Sequence, residues 1–284
     1  MRFSIWLLLK LNKLFPPIQH PFNLQNDGSQ TYAQWQYQWG EKTVACFAPR
    51  FTPKDIFEGH KVLDMGCGAA GKSLYYLSVG AKEVVGVDVV SHYQAEAEAF
   101  ARELGYEDRF RFLCGDATRL PLEDDTFDTV IMNDFMEHVS DPEAALREAL
   151  RLLKPGGRIY INFPPYYHPT GAHMSDVIGI PWVHILFSEK TLCAAYCQLI
   201  HGLPDEQERL ALRFGDDPNN REKITYINKM TIRRFRRMLR QMGITPYWYR
   251  ELPLRRILTP LAKLPGLTEL FVKMCAVVIE KPQQ

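Results

Sequence analysis

The sequence predicts an α/β fold, a doubly wound and mostly parallel sheet with helices on both faces. Three observations carry this prediction. Short apolar runs alternate with helical segments from residue 61 to residue 163. A G-x-G-x-x-G turn, Gly66-Cys67-Gly68-Ala69-Ala70-Gly71, falls between the first such run and the first such helix. Acids then close three consecutive strand-like runs, at Asp64, Asp88 and Asp116.

The elements follow in order. Residues 61–64 (KVLD) read as a short buried strand, 71–79 as a helix and 83–88 (EVVGVD) as a second strand. The Ala/Glu-rich stretch 94–104 is a helix stopped by Gly105. Residues 109–114 (RFRFLC) and 126–132 (TFDTVIM) make strands three and four. Asp141-Pro142 opens a helix to Leu153, with an N-cap acid and proline at the first helical position. The turn Lys154-Pro155-Gly156-Gly157 ends it, and 158–163 (RIYINF) is a fifth strand. The rhythm then breaks. Residues 164–225 begin with Pro, His and aromatic residues and continue as a polar, turn-rich run over 202–220. A basic amphipathic helix is predicted at 231–242, then strands at 245–251 and 271–280.

Ahead of this core, residues 31–46 hold Tyr32, Trp35, Tyr37 and Trp39 and read as one or two short helices around Gly40. These aromatics serve either as core or as a lid. The stretch 4–15 (SIWLLLKLNKLF) is too short and too charged to span a bilayer, and Phe15-Pro16-Pro17 offers no signal-peptide cleavage site. It packs on the domain or lies on a membrane surface. The domains expected are an N-terminal cap over 1–60, a nucleoside-binding core over 61–165, an inserted cap over 166–227 and a completion of the core sheet over 228–284.

Composition narrows the function. A net charge of +1 gives no clustered basic footprint for nucleic acid, and 46% hydrophobic residues argue against disorder. No two of the six cysteines have C-x-x-C spacing, so reduced thiols in a cytoplasmic protein are expected.

The glycine turn alone fits dinucleotide enzymes equally well, and its neighbours discriminate. Asp64, two residues before Gly66, would repel a diphosphate but not a cationic sulfonium ligand bearing an ammonium group. Asp88 is placed to accept hydrogen bonds from ribose hydroxyls, and Asp116 from the amino group of an adenine. Each acid alone could equally cap the next turn.

These pieces resemble the class I S-adenosylmethionine methyltransferases, the broad group that includes small-molecule, quinone and sugar methyltransferases. The matching segments are VLDMGCGAAG (62–71), VVGVD (84–88), CGDATRLPLEDDTFDTVIMND (114–134) and EHVSDPEAALREALRLLKPGGRIYINFPP (137–165). The resemblance implies a Rossmann-like, seven-stranded sheet with an antiparallel last strand and an inserted cap. It implies S-adenosylmethionine as cofactor, with Asp64 and the Gly66, Cys67 and Gly68 backbone beside its methionine end. It places Asp88 and Val89 at the ribose, Asp116 and Ala117 at the adenine, and the Asn133 backbone at the methionine end. The insertion and the N-terminal aromatics are then expected to form the pocket for a small-molecule acceptor.

For an acceptor that must lose a proton, His138 is the leading base candidate, against a role in packing only. His168 and His173, with His184, form a dense set beside tyrosines and a tryptophan. They read as an aromatic acceptor pocket with a base or as a rigid lid, and their spacing fits no standard metal motif. Residues 252–270 mix leucines with Arg255, Arg256 and Lys263; with the N-terminus they suggest peripheral membrane contact, while a solvated basic face is the simpler account. A nicotinamide oxidoreductase and a non-catalytic nucleoside-binding protein remain as alternative functions.

Overall fold

The computed structural model describes residues 3–18, 23, 28–215, 217 and 220–283. Helix α1 (Phe3–Asn12) comes first, then α2 (Tyr32–Gln38), α3 (Gly40–Val44) and α4 (Pro53–Phe57). The core alternates β1 (Lys61–Met65), α5 (Gly71–Ser78), β2 (Glu83–Asp88), α6 (Tyr93–Glu103), β3 (Phe110–Cys114), β4 (Phe127–Asn133), α7 (Pro142–Leu152) and β5 (Leu153–Phe163). After it come α8 (Val183–Leu186), α9 (Glu189–Ile200), α10 (Glu206–Phe214), α11 (Ile232–Gln241) and β6 (Trp248–Pro253). Helices α12 (Thr259–Ala262) and α13 (Thr268–Phe271) and strand β7 (Val272–Glu280) complete the described order.

Seven strands form one sheet in the order β3-β2-β1-β4-β5-β7-β6. Strands β1 to β5 pair in parallel, and β7 runs antiparallel to β5 with Arg158 opposite Glu280. This is the mixed, doubly wound sheet expected from the sequence. The central strands are buried on both faces, as near-continuous apolar runs require. Val62, Leu63, Val84, Val130 and Ile159 are fully buried. Each such side chain contributes about 1.5–3 kcal/mol of transfer free energy.

By internal contacts the chain forms two compact units, one from 31–163, 232–252 and 274–284, the other from 1–30, 164–231 and 253–273. The first holds the sheet, apart from Pro253 at the end of β6 and residues 272–273 at the start of β7. Its helix α7 starts as the sequence predicts, with Asp141 accepting hydrogen bonds from the Glu143 and Ala144 amides and Pro142 at the first position. Helix α2 begins with a capping box between Thr31 and Gln34.

The second unit has its own core of Ile5, Leu8, Met174, Ile178, Leu192, Tyr196 and Phe214. Here the sequence reading needs a correction, because 206–214 is the helix α10 and not part of a turn-rich run. Its polarity is internal. Arg209 and Arg213, one turn apart and both buried, reach the buried Asp176 at 2.7 and 3.4 Å, and Tyr196 donates its hydroxyl to the same carboxylate at 2.8 Å. Polarity turned inward reads, in sequence, like a surface loop. Strand β5 also starts earlier than expected, at Leu153. The Pro-Gly-Gly turn is absorbed as an irregularity beside Phe127, with Gly156 at φ +78°.

Candidate functional site

Strand order reverses between β1 and β4, and in such sheets the carboxyl ends of the strands flanking the reversal open a crevice. The chain brings Asp64, Asp88, Asn133 and the loops after them to this edge. The parallel registers fix their heights: Asp64 lies level with Gly86 and Ile131, and Asp88 level with Cys114. Asp64 is buried and accepts the Ser73 hydroxyl at 2.6 Å. Burial pushes its carboxyl up to about 6 against that hydrogen bond and the charge of Lys72, while Asp88 nearby pushes the same way as burial.

The glycine loop is set by its own backbone demands. Gly66 and Gly68 take left-handed φ values of +79° and +57°, where L side chains are strained. A Cβ on Gly66 would also sit 2.5 Å from the Phe135 ring. Five of the six loop amides are then used up inside the protein. Gly66 and Cys67 donate to the Val87 carbonyl at 2.8 and 3.0 Å, and Gly68 donates to the Asp88 carboxylate at 2.8 Å. Ala70 donates to the Cys67 carbonyl at 3.0 Å, and Gly71 donates to Gln36 Oε1 at 3.1 Å. Cys67 itself is buried, its sulfur in the space left by the missing side chain of Gly86.

Gln36 was not anticipated from the sequence. Buried on α2, it clamps the loop from both sides, since its Nε2 also donates to the Cys67 carbonyl at 3.1 Å. Gly71, the third glycine, lies against the same helix: a Cβ there would overlap the Ala33 carbonyl oxygen. The readable signal was the Thr31–Gln34 capping box followed by Gln36 and Tyr37, one turn beyond Ala33. Of the aromatics around it, Tyr37 packs edge-on to Tyr75 and Phe100 as core, and Tyr32 stands 5.5 Å from Tyr93.

Asp88 divides its oxygens, with Oδ2 on the Gly68 amide and Oδ1 on the Val90 amide at 3.0 Å. Burial raises its pKa, opposed by these amides. Each oxygen keeps a lone pair for a further donor. Val89 beside it is exposed. Asp116 is exposed and caps its own turn through the Thr118 amide at 2.9 Å, and Ala117 is buried. The capping account of Asp116 therefore holds for one oxygen.

At the end of β4, buried Asn133 donates to Asp134 at 2.9 Å, and Lys72 pairs with the same carboxylate at 3.2 Å. Glu137 is the second residue the sequence reading passed over. It is buried, and among the described residues neither carboxylate oxygen has a hydrogen-bond partner. Burial raises its pKa well above the usual value, and the Asp134 charge adds to that. His138 follows, its Nε2 3.8 Å from Glu137 Oε1 and its amide on the Phe135 carbonyl at 2.9 Å. An acid inside the run Phe135-Met136-Glu137-His138-Val139 was the available signal.

His168 and His173 belong to the other unit. The His168 Nδ1 accepts the Thr170 backbone amide at 3.3 Å and lies 3.1 Å from its hydroxyl. An amide only donates, so Nδ1 is unprotonated and the neutral ring carries its proton on Nε2. Burial lowers the His168 pKa to about 4, helped by His184 and Lys273. His184, also brought down to about 4 by burial, lies tilted against Tyr166 at 4.9 Å and stacks on Tyr167 at 6.4 Å. Its ring nitrogens and the Trp182 indole nitrogen are buried with no hydrogen-bond partner among the described residues. His173 sits at φ +52°, its ring 6.3 Å from Tyr226.

Comparison with known proteins adds to this geometry. Residues 63–161 match a family model described as a methyltransferase domain. A methyltransferase of Streptomyces halstedii is 37% identical over 107 residues, 38% of this chain and 38% of that protein. A demethylmenaquinone methyltransferase of Clavibacter sepedonicus is 39% identical over 123 residues, 43% of this chain and 46% of that protein. The chain thus spans less than half the length of these relatives. A solved structure of an S-adenosylmethionine-dependent methyltransferase from Methanosarcina mazei is similar in fold, with a TM-score of 0.51, 22% identity and coverage of 81% of this chain and 95% of that one.

Proposed function

Because residues 63–161 form a class I S-adenosylmethionine-dependent methyltransferase domain, we propose that the chain transfers a methyl group to a small organic acceptor. One observation supports this reading above the others. Five of the six glycine-loop amides are already bonded within the chain, and the strand before the loop carries a buried acid, Asp64. A pyrophosphate needs those amides as donors and is repelled by that acid; a cationic ligand needs the acid and not the amides. The residues present therefore fit S-adenosylmethionine better than a dinucleotide.

When bound, S-adenosylmethionine supplies a methyl group activated by its positive sulfur. The chain's part is to hold and orient. Asp64, the Gly66–Gly68 backbone and Asn133 would face the methionine end, Asp88 and Val89 the ribose, and Asp116 and Ala117 the adenine. Positioning supplies much of the acceleration in such a displacement. His138 would take the proton from an acceptor bearing a hydroxyl or an acidic carbon. His168, with its proton held on Nε2, offers a hydrogen-bond donor and not a base at that atom. A quinone-like or lipid-like acceptor is the class this reading favours, and the menaquinone-related name of one relative agrees with it. Such an acceptor also calls for peripheral membrane contact through α1 and residues 252–270.

Titration with S-adenosylhomocysteine and NADH tests the reading: micromolar binding of the first and none of the second is expected, and tight binding of NADH alone would sink it. The affinity for S-adenosylmethionine should also depend on pH. Below about 6 the Asp64 carboxyl of the free protein is protonated, and binding a cation must first remove that proton. Affinity should level off above pH 6 and fall up to about tenfold per unit below it, as for any single linked group. Calorimetry between pH 5 and 8 reads this, and Asp64→Asn should flatten the profile. For the base, His138→Ala should cut turnover about 100-fold while the cofactor Kd stays within a factor of about two. Turnover that survived the change would remove His138 from the chemistry.

A further inference from the structure

Helix α1 is apolar nearly all round (FSIWLLLKLN), and such helices are normally buried on every side. This one is buried on one. Ile5, Leu8 and Asn12 face the core of the second unit, where Asn12 is bolted at both ends of its amide, to the Val177 carbonyl at 2.8 Å and the Gly179 amide at 2.9 Å. Ser4 and Thr191 hydroxyls meet at 3.3 Å. These anchors fix which stripe faces outward: Phe3, Trp6 and Lys10, at i, i+3 and i+7. Phe3 is 73% exposed, and its ring stacks on Trp6 at 5.7 Å. Past the helix, Lys13, Leu14, Phe15 and Ile18 are exposed as well, Leu14 at 74%.

Charge tells what covers this stripe. Residues 3–18 contain Lys10 and Lys13 and no acid. The same unit carries a second segment of this kind, residues 253–273, with four basic residues, one acid, and Ile257 exposed at 82%. Exposed aromatic and aliphatic side chains interleaved with lysines and arginines suit the interface of an anionic bilayer, where apolar groups enter the acyl boundary and cations meet the headgroups. A second copy of the chain fits poorly, because a two-fold contact through this stripe would bring both copies' Lys10 and Lys13 into one interface with no acid of the stripe to pair them.

We propose that the outward stripe of α1, led by Phe3 and Trp6 and flanked by Lys10 and Lys13, docks the protein on membranes rich in anionic lipid. Its purpose, access to a lipid-soluble acceptor, rests on the proposed methyl transfer; the docking itself does not. The test is sedimentation of the full chain with phosphatidylcholine vesicles, with and without phosphatidylglycerol. Binding should appear with the anionic vesicles and weaken as salt is raised. The double variant Phe3→Ser/Trp6→Ser should lower the partition coefficient at least tenfold, and Lys10→Glu/Lys13→Glu should abolish the preference for anionic lipid. Both variants should keep the wild-type affinity for S-adenosylhomocysteine, which certifies the fold and the cofactor site. Absence of binding to anionic vesicles, unchanged binding by Phe3→Ser/Trp6→Ser, or a dimer in lipid-free buffer that this variant dissolves would overturn the proposal. Vesicle binding by a chain that ignores S-adenosylhomocysteine would leave the docking standing and remove the methyl-transfer reading.

Discussion

Asp88→Ala is expected to weaken S-adenosylhomocysteine binding by about a hundredfold, or about 3 kcal/mol, the worth of two hydrogen bonds to a charged acceptor. Two losses add in this variant. Each Asp88 oxygen accepts one backbone amide, from Gly68 or Val90, and retains a lone pair, so one carboxylate can hold the loop and two ribose hydroxyls together. Removing it deletes the ligand contacts and also leaves the Gly68 amide without its acceptor. Asp88→Asn separates the two: it keeps one oxygen for an amide but gives up the charge, and its loss of affinity should be intermediate. Thermal melts without ligand gauge the loop, and calorimetric titration gauges the ligand contacts. If Asp88→Ala bound S-adenosylhomocysteine as tightly as the parent, Asp88 would be a loop brace only.

The second large effect is expected at Gly71. A methyl group there would overlap the Ala33 carbonyl oxygen and stand 2.7 Å from the Tyr37 amide nitrogen. Both obstacles are backbone atoms of α2, which cannot rotate aside as a side chain can. Gly71→Ala should cost about 3 kcal/mol, the upper part of the overpacking range, and lower Tm by about 6 °C. Because α2 must back away, Gln36 should lose its hold on the Cys67 carbonyl and the Gly71 amide, and cofactor affinity should fall with stability. An unchanged melting temperature would show that α2 is not packed against the start of α5. The third glycine of the motif is in this chain a seat for a helix from outside the motif.

That distinction marks how far the sequence could be read. The parallel strands, the glycine turn and the acids at the strand ends were legible because periodicity and spacing are local. Strand β7 was legible as an apolar run and its reversal only through the family resemblance, while its place between β5 and β6 was fixed by pairing over long separations. Gln36 and Glu137 were not found. Neither has a local signature, and each acquires its meaning from burial against residues far away in the chain. Helix α10 was hidden for a related reason, since its two inward arginines serve one buried carboxylate and imitate a solvated stretch. Asp116 lay at the limit, its carboxylate already half engaged in its own turn.

The interleaving of the two compact units has a consequence for how the protein is made. Arg158 on β5 pairs with Glu280, 122 residues later, and Asn12 reaches Val177 across 165 residues. Each unit is assembled from three separate stretches of chain, so neither can close early in synthesis. Until 272–280 emerges from the ribosome, β5 has an unpaired edge and β6 has no neighbour in the sheet. Nascent chains of this kind expose apolar strand edges for many seconds at ordinary elongation rates. Their yield will depend on how well that interval is shielded.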